Sequence, residues 1–208
     1  MIGNAIVTRL YASQDAGATL HAGALNLGGI AVTSTAAELN LLDGVTGLVT
    51  SVNGLSDALA ETNSIYIGND PSSTTDAAQY NLAIGTTAMD AVTTGDYNTA
   101  LGYNSLTAND TGKKNTAVGY GSLGTQTTGN DNTAFGDAAL YLNTTGTFNP
   151  GLGIQALINN VTSSYNTAVG HAAMFNNTGE NNVALGYQAL KVFTTGTKNN
   201  IMGFSAGY

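Results

Sequence analysis

The residues able to do chemistry are few, and they do not gather. The two histidines, His21 and His171, lie in different segments, and His171 holds a position occupied in equivalent places by Thr86, Tyr103, Tyr120, Asp137, Ile154, Tyr187 and Phe204. A catalytic histidine needs a fixed set of partners, so a surface or packing role is expected for both. Asp131 and Asp137 flank one unit with no constellation of acids in the neighbouring units, so paired-carboxylate chemistry on glycosidic bonds has little support. The Gly-Asn and Asn-Asp pairs read as turns rather than as calcium loops. Cysteine is absent, which removes thiol chemistry and a disulfide framework. The expectation is a chain that is not an enzyme, with no catalytic residue, no cofactor and no metal. What remains is aromatic. Tyr80, Tyr97, Phe148 and Tyr165 precede a recurring asparagine, and Tyr103, Tyr120, Tyr187 and Phe204 follow a recurring glycine. Exposed rings can stack on sugars, so Tyr103, Tyr120 and Tyr187 are candidate glycan contacts. The plainer expectation is that such rings stack on one another.

The elements that must position these residues repeat. Asn81, Asn98, Asn115, Asn132, Asn149, Asn166, Asn182 and Asn199 recur every 17 residues with one step of 16, and Gly85, Gly102, Gly119, Gly136, Gly153, Gly170, Gly186 and Gly203 keep the same interval. A period this short excludes helical repeats and propeller blades and fits one turn of a β-solenoid. The fold class predicted is therefore all-β, a parallel β-solenoid of about eight coils. The asparagines are expected to form a structural ladder of stacked amides. After each of them, a small residue (Ala83 and its equivalents) alternates with a large apolar one: Ile84, Leu101, Val118, Phe135, Leu152, Val169, Leu185 and Met202. Alternation places the small column inside the coil and the large one outside. An apolar outer face calls for a second surface upon it, most simply another copy of the chain. Further along, Met89, Leu106, Leu123, Leu140, Leu157, Met174 and Leu190 are expected to fill the opposite wall. The Thr-Gly pairs from Thr94-Gly95 to Thr195-Gly196 read as turns in which Gly supplies a positive φ, and Thr162-Ser163 is the one departure. The residue missing from the short step falls between Gly170 and Gly179.

Three segments precede the repeats. Residues 1–33, with Ile6-Val7-Thr8 and Ala31-Val32-Thr33, read as short strands and turns, an attachment segment. Over 34–62, the capping box Thr35-Ala36-Ala37-Glu38 starts a short helix, and apolar residues from Leu41 to Leu59 step by four and three, which predicts a trimeric neck of two short helices meeting around a three-fold axis, with a small helical cap on the solenoid as the alternative. The solenoid domain is 63–208, opening with Ile65-Tyr66-Ile67-Gly68 as an incomplete first coil. Charge is sparse, 9% of residues, with a net value of −8, which argues against general nucleic-acid binding. No run is long enough to span a membrane, and the first residues lack the pattern of a signal peptide.

Val32-Thr33-Ser34-Thr35-Ala36-Ala37-Glu38-Leu39-Asn40-Leu41-Leu42-Asp43-Gly44-Val45 resembles a segment recurrent in tail-fibre and appendage proteins of tailed phages, marine and cyanobacterial ones in particular. The 17-residue repeats resemble those that follow it there. They are also similar to the head repeats of trimeric autotransporter adhesins, left-handed parallel β-rolls assembled as trimers. The resemblance implies a homotrimeric virion fibre, joined through its N-terminus to other tail or baseplate proteins and projecting outward, with the column Ile84 to Met202 at the trimer interface. Host-surface adhesion, through a glycan or a separate tip protein, is the expected contribution, and the open edge of the last coil is expected to be covered either by Phe204 and Tyr208 of three chains clustering at the axis or by such a tip protein. A bacterial trimeric adhesin head on a cell surface is the neighbouring expectation. The threonine column (Thr94, Thr111, Thr128, Thr145, Thr162, Thr178, Thr195) admits an ice-binding solenoid as another.

Overall fold

The computed structural model describes residues 25–27, 30–32, 58–61, 63–68, 77–192 and 195–207. It divides into two compact units, 1–48 and 49–208. In the first, β1 (Leu25–Leu27) and β2 (Ile30–Val32) pair as an antiparallel hairpin, with Leu25 opposite Val32. Short strands are what this stretch predicts.

The second unit is a parallel solenoid built from one short strand per coil. β5 (Leu82–Ile84), β6 (Thr99–Leu101), β7 (Thr116–Val118), β8 (Thr133–Phe135), β9 (Pro150–Leu152), β10 (Thr167–Val169), β11 (Val183–Leu185) and β12 (Asn200–Met202) stack in chain order, each parallel to the last. Equivalent residues pair directly, Ala83 with Ala100 with Ala117 with Ala134. The eight coils expected from the period are therefore present. Ahead of them, β4 (Ser64–Ile67) pairs Ile65 with Leu82 and Tyr66 with Ala83, the register of an opening coil. Its interior position holds Tyr66 where the next seven coils hold Ala or Gly and the last holds Ile201, and the Tyr66 ring is fully buried.

The helical neck is corrected at its end. Among the described residues there is no helix, and Ala58–Glu61, the last part of the predicted seam, is strand β3, antiparallel to β4, with Leu59 opposite Tyr66. A strand edge left open needs a partner for its backbone groups, and the left-handed turn at Asn63 (φ 65°) lets the chain double back to supply one. That demand of the sheet overrides the four-three spacing of apolar residues. The capping box and residues 33–57 lie outside the described residues.

Inside each coil three apolar columns meet. The Ala/Gly column of the strand, the Ala/Ser column after the corner and the Met89-to-Leu190 column are all buried. Small residues are required where two walls of a 17-residue loop approach each other; the larger side chains then fill what is left. The second wall is also bonded coil to coil, Met89 N–H to the Ser105 carbonyl (3.1 Å) and Leu106 N–H to that of Ser122 (3.0 Å). Three positions per coil adopt left-handed backbone, with glycine only at Gly121: the residue before Asn, the second residue after Gly, and the Met/Leu column itself (Leu106 φ 49°).

Two kinds of glycine hold the corners together. Gly102 combines φ 134° with a neighbour so close that a Cβ would stand 2.6 Å from the Gly119 carbonyl oxygen. The glycines of the Thr-Gly pairs correct the expectation. Gly95 does not have a positive φ; a Cβ there would lie 2.5 Å from the Gly112 oxygen and 2.9 Å from the Asn109 amide. They are glycine because the next coil and the buried amides leave no room. The missing residue falls in this turn: Asn143 Nδ2 reaches the carbonyl three residues on, at Gly146, whereas Asn177 Nδ2 reaches that of Gly179, only two on. Ser163, the one non-glycine in the column, stands next to the shortened turn and donates to the Thr178 carbonyl at 2.7 Å.

Candidate functional site

Two features of this coil could serve function: a buried amide spine and an outward sheet face. The spine begins with the repeat asparagines, which are buried along the solenoid from Asn81 to Asn182. Their side chains do not form the expected amide-to-amide stack. Asn81 Oδ1 instead accepts the Asn98 backbone N–H at 2.8 Å, and Asn98 Nδ2 donates to the Gly112 carbonyl at 2.8 Å. The same pair of bonds recurs at Asn115, Asn132, Asn149, Asn166 and Asn182. Within this column one side-chain amide meets the next only at the far end, Asn199 Nδ2 to Asn182 Oδ1 at 2.9 Å. An Asp or Gln could not accept from one coil and donate to the turn at this reach, which is why the column is uniform.

A second amide column, missed by the sequence reading, supplies the side-chain ladder. Asn109, Gln126, Asn143, Asn160 and Asn177 are buried and again recur every 17 residues. Asn143 Nδ2 donates to Gln126 Oε1 (2.6 Å) and Asn160 Nδ2 to Asn143 Oδ1 (3.2 Å). The signal was present in the sequence, blurred by Val92 at the first coil and Gln126 at the third. Gln126 also breaks one rung. Its longer arm sends Nε2 to the Gly129 carbonyl (2.5 Å) and leaves Asn109 Oδ1 as a buried acceptor with no partner.

The outward face is uncharged along its two central columns, one apolar and the other rich in threonine. The column from Ile84 through Leu101, Val118, Phe135, Leu152, Val169 and Leu185 to Met202 points away from the core, and Leu101 and Phe135 are 45% and 57% exposed. The companion column holds Leu82, Thr99, Thr116, Thr133, Pro150, Thr167, Val183 and Asn200. Aromatic residues flank the strands on both sides. Tyr80 stacks on Tyr97 with ring centres 4.8 Å apart, Tyr103 on Tyr120 at 5.6 Å, and Phe148 on Tyr165 at 5.3 Å. His171 joins a stack with Tyr187 (5.2 Å), which continues to Phe204 (5.0 Å). Tyr103 and Tyr120 thus cover one face of each other, and Tyr187 lies between His171 and Phe204. A sugar stacking face-on would have to use the free end of a stack.

Charge on this surface is confined to a few residues. Asp131 and Asp137 stand before and after the strand of the same coil, on either side of Phe135. Away from the face, Lys113 Nζ pairs with Asp96 Oδ2 at 2.6 Å while Asp96 Oδ1 accepts the Gln79 N–H at 3.0 Å. The lysine hydrogen bond foremost, helped by that backbone N–H and opposed by partial desolvation, lowers the Asp96 pKa. Among the described residues, no three His, Cys, Asp or Glu side chains could share a metal ion, and no helix is long and apolar enough to cross a membrane. The threonines from Thr94 to Thr195 form a single outward rank at a turn. No protein-family model matches the chain, and no curated protein or solved structure is significantly similar to it.

Proposed function

We propose that this chain is a structural appendage protein that assembles with copies of itself, in parallel, through the outward face of its sheet, and that it serves as a segment of a virion fibre. The observation that carries the reading is the unbroken apolar column from Ile84 to Met202, with no charged residue in it or in its companion column over eight coils. A parallel sheet normally has both faces covered, and an apolar strip of this length is unlike the scattered apolar residues of a monomer surface. A second copy fits it best, because the same coil spacing brings every apolar residue of one chain opposite an apolar residue of the next. A homotrimer, the virion setting, an N-terminal attachment to other tail proteins and a contribution to host adhesion are supported by the resemblance carried by Val32–Val45 and by the repeats.

Sedimentation of the purified chain tests assembly. A trimer is expected at micromolar concentration, and Val118→Asp combined with Val169→Asp should give dissociated chains that keep their far-UV circular dichroism. A monomeric parent protein would overturn the reading. The virion setting is tested separately, by negative-stain imaging of particles labelled with an antibody to the chain; label confined to the tail or its appendages is expected, and unlabelled particles would exclude it.

A further inference from the structure

A closed ring of parallel copies has its axis along the stacking direction, and rotation about that axis carries no rise. Each coil of one copy therefore meets the same coil of the next, and the border before a repeat asparagine lies beside the neighbour's border after the repeat glycine. This holds for two copies as for three. Ring then meets ring where Tyr97 faces Tyr103 and Tyr165 faces His171, and cation meets ring where Lys114 faces Tyr120 and Lys198 faces Phe204. Tyr80 with Thr86, Phe148 with Ile154 and Asn181 with Tyr187 bring no charge. The fourth of the eight levels alone sets like charges together, Asp131 against Asp137. Asp131 is half-buried in the single chain and the other border residues are exposed, so a neighbour can reach them all.

We infer that at each junction of the assembled ring the Asp131 carboxylate of one copy is set against the Asp137 carboxylate of the next, and that this level limits how tightly the copies associate. The contact presupposes the self-association proposed above and fixes the level at which it is opposed. The apolar column supplies the burial, and the aromatic and cation–ring levels add to it. Like charges placed side by side at an interface work against it. The effect is strongest where water is excluded, and these two carboxylates flank Phe135, an exposed ring that assembly would cover. The only cations on the two borders are Lys114, one coil before Asp131, and Lys198 in the last coil. Because the same junction recurs around the ring, one substitution acts at every junction at once.

Charge exchange in the full chain tests the contact. Other coils hold Tyr, Lys or Phe at the Asp131 position and Thr, Tyr, Ile or His at the Asp137 position, so substitution there should leave the coil intact, as far-UV circular dichroism will check. Asp137→Lys, and separately Asp131→Lys, should each lower the concentration for half-assembly in sedimentation roughly tenfold. The double variant sets like charges together again and should assemble no better than the parent, although it is less negative than either single variant. A double variant tighter than both singles would assign the effect to net charge and overturn the pairing, as would singles no tighter than the parent. The absence of cysteine lets the contact itself be measured. Asp131→Cys combined with Asp137→Cys should oxidise to a covalent oligomer on a denaturing gel. Tyr97→Cys combined with Asp137→Cys lies two coils out of level, roughly 10 Å along the stack, beyond disulfide reach, and should stay uncoupled. Assembled protein that couples through the second pair, or fails to couple through the first, overturns the contact while leaving self-association standing. Parent protein that sediments as a monomer removes both.

Discussion

At the scale of single residues, this solenoid shows how much depends on amide length. Gln126 is one methylene longer than its equivalents, and the consequence is an unpaired buried oxygen on Asn109. A buried acceptor left without a donor costs on the order of 1–3 kcal/mol. Gln126→Asn should let Nδ2 reach Asn109 as Asn160 reaches Asn143, and thermal melting of the variant is expected to rise; an unchanged or lower midpoint would mean the oxygen is satisfied in solution. Pro150 is a second local defect. Leu82, Thr99, Thr116, Thr133, Thr167 and Val183 each donate their N–H to an asparagine carbonyl of the next coil, and proline has no hydrogen to give. Pro150→Thr should add that rung, a gain of about 1 kcal/mol, visible as slower amide exchange at the neighbouring strands. Loss of stability instead would show that the fixed proline φ outweighs the bond.

At the scale of elements, the period was legible and several of the reasons behind it were not. Seventeen-residue spacing, the inward Ala83 column and the outward Ile84 column follow from alternation alone, and the coils carry them as expected. The role of Gly95 was not legible, because steric exclusion by the Gly112 oxygen of another coil leaves no local sign. Nor was the strand at Ala58–Glu61, whose apolar spacing suits a helix but whose pairing serves the sheet edge of β4. The second amide column was present in plain spacing, but two substitutions hid it. An ion pair, Lys113 with Asp96, ties the second full coil to the first, and its response to pH is defined. Asp96 has a lowered pKa, so its contribution is complete above the ordinary carboxylate value of about 3.9 and is lost as pH falls through its own lower value. Because both partners are partly exposed, the effect is at most about 1 kcal/mol. The melting difference between the parent and Asp96→Asn should therefore be present at pH 7 and shrink towards pH 2; a difference that persists in acid would assign it to packing instead.

At the scale of the whole solenoid, each coil touches only the coils before and after it. Stability in such an array is close to a sum over neighbours, which makes whole coils exchangeable. Removing residues 115–131 joins Lys114 to Asn132 and sets Thr99 beside Thr133, a pairing of the kind already present between other strands. The shortened chain is expected to fold with the same circular dichroism per residue, whereas removal of eight or nine residues should not; an unfolded product from the whole-coil deletion would contradict the neighbour description. The same stacking sets how the molecule would yield when pulled. Because the strands lie across the stacking direction and their hydrogen bonds lie along it, tension applied through the two ends loads one rung at a time, like opening a zipper. Each coil that peels away releases 17 residues, roughly 55 Å of slack chain for about 5 Å of stacked height lost. A fibre segment built this way would act under strain as a reel of short, equal lengths, lengthening coil by coil before the rest of the stack is disturbed.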